Sequence, residues 1–232
     1  MTGSLTDLAL AVGLFVVSHL VLPITALRNV IIVIIGRSAY LLLYSAISIA
    51  LLLWIVEAYG AAPTVDLFEP NTAMRHATLT LMLIAVFLAV SGIANPNPSA
   101  VPAQDLGWKP EAKGVFKITR HPLMWGIAIW GGCHFLANGH AAALILFGGM
   151  TVLALGGAAH IDRRKRESLG EEWRRFEEQT SFVPLAAIAM GKVRMERREI
   201  PWWQTLIAVT VYIGLLAGHA ALGRDVFPLG FF

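Results

Sequence analysis

The chain has 232 residues, 56% hydrophobic and 14% charged, against the ~25% charge of soluble domains; an ordinary water-soluble fold is excluded, and one helical bundle fills the length. The net charge of +3 is small and sorted by segment, so it reads as membrane topology and not as a nucleic-acid surface. A single cysteine, Cys133, excludes an internal disulfide and a thiolate metal cluster.

Six uncharged apolar stretches, residues 8–27, 38–56, 77–93, 123–137, 141–159 and 202–222, predict six membrane spans. A hydrocarbon core about 30 Å thick takes roughly 20 helical residues to cross, and the third and fourth stretches run a little short. The first stretch has Asp7 before it and its positive charges after it. A cleaved signal peptide has the reverse arrangement, so a retained helix is expected.

Of the 18 lysines and arginines, 16 fall in alternate gaps. Arg28 and Arg37 lie between spans one and two; Lys109, Lys113, Lys117 and Arg120 lie between three and four. Ten more, from Arg163 to Arg198, lie between five and six, leaving Arg75 and Arg224 on the other side. Positive loops stay in the cytoplasm, so the expected fold is an all-α, six-span bundle with both termini outside.

The strip between Arg28 and Arg37 is too short to cross and predicts a short interfacial helix. Gly60, Pro63, Pro70 and Asn71 mark an outer loop, and Asn95-Pro96-Asn97-Pro98 ends the third span. From there to Arg120 the chain is irregular, with Pro102, Gly107, Pro110 and Gly114. Only Asn138, Gly139 and His140 join spans four and five, which predicts a tight antiparallel hairpin. The segment 162–200 carries Leu169, Trp173 and Phe176 at helical spacing on a charged background, predicting amphipathic helices against the membrane surface. The whole reads as one membrane domain, 1–232.

Ionisable groups in a bilayer core are costly and face the bundle interior, so depth sorts the seven histidines. His76, His140 and His219 map to outer span ends, and His121 and His160 to the cytoplasmic boundary. His19 and His134 lie inside, at heights of roughly 13 Å above Arg28 and roughly 20 Å above Arg120 at 1.5 Å per residue. Two buried imidazoles at similar depth suit the axial positions of a haem. The competing reading gives each a backbone carbonyl partner. The glycines of spans four and five, Gly126, Gly131, Gly132, Gly148, Gly149, Gly156 and Gly157, leave room for a flat cofactor or for close helix packing.

Arg120-His121-Pro122 opens span four and Asp162 follows span five, at one cytoplasmic level. Arg120 and Asp162 are placed to pair, and an Arg–His couple there suits an anionic group such as a propionate or a cofactor carboxylate. A structural ion pair is the alternative. The sequence has no Walker loop, no GxGxxG after a strand, no HExxH and no GxSxG.

Lys117-Ile-Thr-Arg-His-Pro-Leu-Met-Trp-Gly, Trp130 with His134-Phe-Leu-Ala-Asn-Gly, Ile161-Asp-Arg-Arg and Thr180-Ser-Phe-Val-Pro-Leu closely resemble the NnrU family, as do Gly36…Tyr40…Tyr44-Ser45 and Ser91-Gly-Ile-Ala-Asn-Pro-Asn-Pro. The resemblance covers nearly the whole chain. It implies a protein of the bacterial inner membrane linked to nitrite and nitric oxide reduction. The family is similar to 15-cis-ζ-carotene isomerase, a membrane enzyme using haem b. That likeness implies His19 and His134 as haem ligands, a cofactor site including Arg120, His121 and Asp162, and a polyene substrate. Where the isomerase has a cysteine after the tryptophan, this chain has Gly131, with Cys133 on another helix face. A likeness to membrane methyltransferases rests on Arg120-His121-Pro122 and Leu169-Gly170…Trp173…Phe176…Pro184, and implies S-adenosylmethionine binding. Two classes of function therefore stand: a haem-b isomerase or redox protein, and a non-enzymatic factor that helps assemble denitrification reductases through 162–200. The expected surroundings are the lipid bilayer, with no nucleic-acid partner.

Overall fold

The computed structural model describes residues 3–23, 25–99, 111–223 and 226. The described residues form ten α-helices and no strand: α1 Leu5–Val21, α2 Thr25–Ile35, α3 Arg37–Ala61, α4 Thr72–Ala94, α5 Val115–Ile118, α6 Pro122–Asn138, α7 Ala141–Leu169, α8 Glu171–Glu178, α9 Ala186–Ala189 and α10 Trp202–Ala221. Lys109, Arg224, Pro102, Gly107 and Pro110 lie outside the described residues, as do both chain ends.

Local chemistry sets the helix starts. The Ser4 side chain accepts from the Asp7 N–H, Asn71 from Met74 and His140 Nδ1 from Ala143, each satisfying an orphan donor of a first turn. Pro122 occupies the first turn of α6, where no intrahelical N–H is needed. The turn from α6 to α7 requires Gly139: its φ is +67°, and a Cβ there would run into the Phe68 carbonyl. That close approach lets the Gly139 carbonyl accept from Leu67 at 2.9 Å and Phe68 at 3.1 Å.

The long helices pack as a row in the order α3, α1, α7, α6, α4, α10. Small residues permit the contacts. A Cβ on Gly126 of α6 would lie 2.8 Å from the Ala85 carbonyl of α4, and one on Gly92 of α4 would lie 2.8 Å from Leu123 N. Gly131 admits Thr151 and Phe147 of α7, and Gly149 admits Val12 of α1. The glycines thus serve close packing, the commoner of their two sequence readings.

Four helices, α3, α4, α7 and α10, are long and apolar enough to cross a membrane, and a fifth crossing results if α1 and the bent α2, turned by 88°, count as one. Leu42, Val56, Ile93 and Leu222 are 65–80% exposed, as lipid-facing residues are; no soluble protein leaves so many large apolar side chains bare. α1 and α6, 17 residues each, reach only about 25 Å at 1.5 Å per residue, so length alone does not establish six crossings. The short helix expected after Arg28 is present as α2, with Val33 and Ile34 exposed.

One expectation is overturned. The apolar face of α8 does not lie against a membrane surface: Trp173 and Phe176 are fully buried, in a cluster with Leu88, Ala112, Val115 and Phe116. The amphipathic pattern was real, but its apolar side closes the protein's own core at the end of the bundle that carries Arg120. That end is called the basic end below, and the other, with His134, His140 and His219, the histidine end.

Candidate functional site

At the basic end, chain geometry brings together three of the residues singled out in the sequence. The junction before α6 is bonded to the segment after α8: Arg120 N donates to Ser181 O at 3.0 Å, Thr119 Oγ1 to Phe182 O at 2.8 Å, Trp125 Nε1 to Phe182 O at 2.7 Å, and Leu185 N to Ile118 O at 2.7 Å. Leu185 holds φ at +65°, a strained value for a residue with a Cβ. This places Arg120 and His121 on Asp162 of α7. Arg120 Nε donates to both carboxylate oxygens at 3.1 and 2.9 Å, its Nη2 sits 2.7 Å from Oδ2, and His121 Nε2 lies 2.7 Å from Oδ1. Glu177 of α8 joins Arg120 at 3.5 Å and Arg166 at 2.7 Å.

The network is buried, with His121 1%, Asp162 3% and Arg120 8% exposed. Two guanidinium groups thus meet two carboxylates, and the charges balance. Because Nε2 of His121 donates to the carboxylate, Nδ1 carries the lone pair. It is buried and without a hydrogen-bond partner among the described residues, beside a cavity of about 30 Å³ lined by Asn97, Ser99, Leu123, Met124 and Ile161. That is room for about one water, and too little for a cofactor.

The large cavity is at the histidine end. It measures about 770 Å³ and is walled by residues of α3, α4, α6, α7 and α10, among them Tyr59, Met82, Trp130, His134, Phe147, Tyr212 and His219. This is a ligand-sized space, since small-molecule sites run ≈ 300–1,000 Å³. His134 is held by Trp130 O, 2.9 Å from its Nδ1, and His219 by Leu215 O at 2.8 Å. Their ring centroids are 6.1 Å apart, and the Phe147 ring lies 4.9 Å from that of His134.

His19 lies elsewhere. Its Nδ1 is 2.8 Å from Phe15 O and its Nε2 3.4 Å from Ser48 Oγ, with the Phe15 and Tyr44 rings alongside. Helix α7 stands between α1 and α6 and measures the separation: Phe147 meets His134, whereas Gly156 meets Leu20, the neighbour of His19. Nine residues of helix span about 13 Å, and metal–imidazole bonds are about 2 Å. His19 and His134 therefore do not fit the two axial positions of one haem. The sequence reading measured both heights from the basic end; measured from the far end, His134 is four residues before the close of α6 and His219 two before that of α10. That count would have paired them.

The NnrU protein family model matches residues 7–226. The chain belongs to the NnrU family. Two curated relatives of this NnrU chain are chloroplastic 15-cis-ζ-carotene isomerases: that of Arabidopsis thaliana, 37% identical over 79 residues, and that of Zea mays, 36% identical over 84. The matches cover 34% and 36% of the NnrU chain but only 22% and 23% of the relatives, so the chain spans less than a quarter of each relative. No solved structure matches it significantly.

Proposed function

We propose that this NnrU protein binds a long conjugated hydrocarbon drawn from the bilayer and isomerises one of its double bonds, the activity named for its two isomerase relatives. The observation that carries the reading is the cavity of about 770 Å³ at the histidine end. Its aromatic lining suits a polyene, which offers flat π-faces and no polar handle, so recognition rests on apolar contact and ring stacking. Isomerisation transfers no atoms, so no second substrate is needed. What the chain supplies is a fixed wall: Trp130 and His134 on α6, Phe147 on α7, and Tyr212 on α10. The Arg120–His121–Asp162 network locks the far ends of α6 and α7, and so the register in which those side chains face the cavity.

The membrane arrangement belongs to the same proposal. The chain crosses six times, with α1 and α6 as tilted or locally thinned crossings, both termini outside and the basic end in the cytoplasm of a bacterial inner membrane. Alternating positive charge supports this. Cysteine placed at Ser4 and at Gly223 is expected to react with an impermeant maleimide from outside in intact cells; reaction only after lysis overturns the orientation.

The activity is tested by reconstituting the chain in liposomes containing 15-cis-ζ-carotene and separating the isomers by chromatography. Loss of the 15-cis form, absent with heat-inactivated protein, is the expected result. No conversion, with protein shown folded, overturns the proposal.

A further inference from the structure

The haem pair suggested by the sequence fails on distance, yet the histidine end holds a different pair whose chemistry is that of metal ligands. In both His134 and His219 the Nδ1 faces a backbone carbonyl, which only accepts, so Nδ1 carries the proton and the neutral ring presents its lone pair at Nε2. A carbonyl-anchored Nδ1–H is the arrangement that fixes tautomer and ring orientation in metal-binding histidines. Both rings line the same cavity, and among the described residues neither Nε2 has a hydrogen-bond partner. His140 has the opposite polarity. Its Nδ1 accepts from Ala143 N, so its Nε2 is a donor and is not available as a ligand.

The spacing decides what two such nitrogens can share. Imidazoles bound to one ion through nitrogens at about 2 Å hold their ring centres roughly 5–6.5 Å apart, and the centroids here are 6.1 Å apart. A bare divalent cation is a poor candidate. No aspartate or glutamate lines the cavity, so an ion there would have only two protein ligands and no compensating charge. A metalloporphyrin brings four nitrogens and its own negative charge, and presents a flat apolar body to Trp130, Phe147, Met82 and Leu216. Arg75, also in the lining, is the cation nearest in kind to what a carboxylate edge pairs with.

We infer that His134 and His219 together are the axial ligands of an iron porphyrin in the histidine-end cavity, and that His19 takes no part. This rests on the geometry of the cavity and is independent of the polyene reading, because it is read by spectroscopy on protein without substrate.

The test is titration of the purified full chain in mild detergent with haemin, following the visible and electron paramagnetic resonance spectra. One equivalent is expected to give a low-spin ferric signal from two imidazoles. His134→Gly and His219→Gly are each expected to lose that signal, and free imidazole to restore it, while His19→Gly keeps it unchanged. The imidazole rescue separates a lost ligand from a misfolded protein. A low-spin signal that survives His219→Gly, or that disappears in His19→Gly and returns with imidazole, overturns the assignment. So does a signal indifferent to all three substitutions, which marks haemin adsorbed to the protein or micelle. Failure of the isomerase assay with the spectroscopic result intact removes the polyene reading alone.

Discussion

Arg120 and Asp162 meet across the α6–α7 hairpin in a clasp: Nε and Nη2 of the arginine approach the same oxygen, Oδ2, at 2.9 and 2.7 Å. The two residues stand at the open ends of helices that are joined, at the other end, by Asn138, Gly139 and His140. The clasp therefore closes a long, narrow loop of chain, fixing the relative slide of α6 and α7 at the end farthest from their turn. His121 occupies the remaining oxygen, Oδ1, at 2.7 Å, so the carboxylate is held along both edges.

Removing one side of this clasp leaves buried charge unmatched. Breaking a buried pair by deleting one partner costs about 3–5 kcal/mol. Asp162→Asn is expected to fall in that range, since Glu177 reaches only one edge of Arg120, at 3.5 Å. Arg120→Lys is expected to fall below it, keeping charge but losing the second donor. Unfolding of purified variants in a mixed-micelle denaturant titration measures both. An Asp162→Asn loss under 1 kcal/mol would mean that the clasp contributes little to holding the hairpin.

How much of this was legible beforehand differs by element. Helix interiors are readable because an uncharged run needs no partner to declare itself, and the α6–α7 hairpin followed from three intervening residues. Arg120, His121 and Asp162 followed in turn, since a tight hairpin sets its two open ends level. The order of helices in the row did not follow. It depends on which glycine meets which backbone, as Gly126 does the Ala85 carbonyl, and composition does not rank such contacts. With that order unknown, His134 was paired with a histidine two helices away. Trp173 and Phe176 were misplaced for another reason: a membrane surface and a protein core make the same apolar demand on an amphipathic helix.

The glycines of α6 are expected to divide sharply. A Cβ on Gly126 would lie 2.8 Å from the Ala85 carbonyl, whereas nothing lies within 4 Å of one on Gly132. Gly126→Val is expected to destabilise by about 1–3 kcal/mol through overpacking. Gly132→Ala is expected to be neutral, or stabilising by up to about 1 kcal/mol through helix propensity. Thermal stability in detergent, read by intrinsic fluorescence, distinguishes them. Equal effects would mean that α4 and α6 adjust freely.

Lys117 and Glu199 give the basic end a pH dependence. Partial burial pushes the Glu199 carboxyl up, but hydrogen bonds from Lys117 and from the Gly114 and Glu196 N–H groups, with the lysine charge, outweigh it and hold the carboxyl below its ordinary value of 4.5. The unfolded chain then binds the proton more readily, so stability rises with pH across that window. The contribution is complete above about pH 4.5 and is lost as pH falls through the lower, folded value. Glu199→Gln is expected to cost about 1 kcal/mol at pH 6, the size of a partly screened ion pair, and nothing at pH 3. Denaturant midpoints at the two pH values check this; a constant difference would exclude titration of Glu199 as the cause.

Filling the cavity tests whether its volume, and not merely its histidines, carries the function. Leu79 and Leu216 both line it, on α4 and α10 respectively, and neither touches the clasp at the basic end. Replacing Leu216 by tryptophan adds a bulky ring where a polyene would lie, while leaving Arg120, His121 and Asp162 as they are. If substrate enters here, kcat/KM for the 15-cis polyene is expected to drop by tenfold or more, a factor of ten corresponding to about 1.4 kcal/mol of lost transition-state binding. Unfolding midpoints should stay near wild type, because the added atoms occupy existing space. Leu216→Ala, which widens the cavity, should change kcat/KM by much less. A tryptophan variant with undiminished turnover would move the substrate path out of this cavity and onto the lipid-facing side of the helix row.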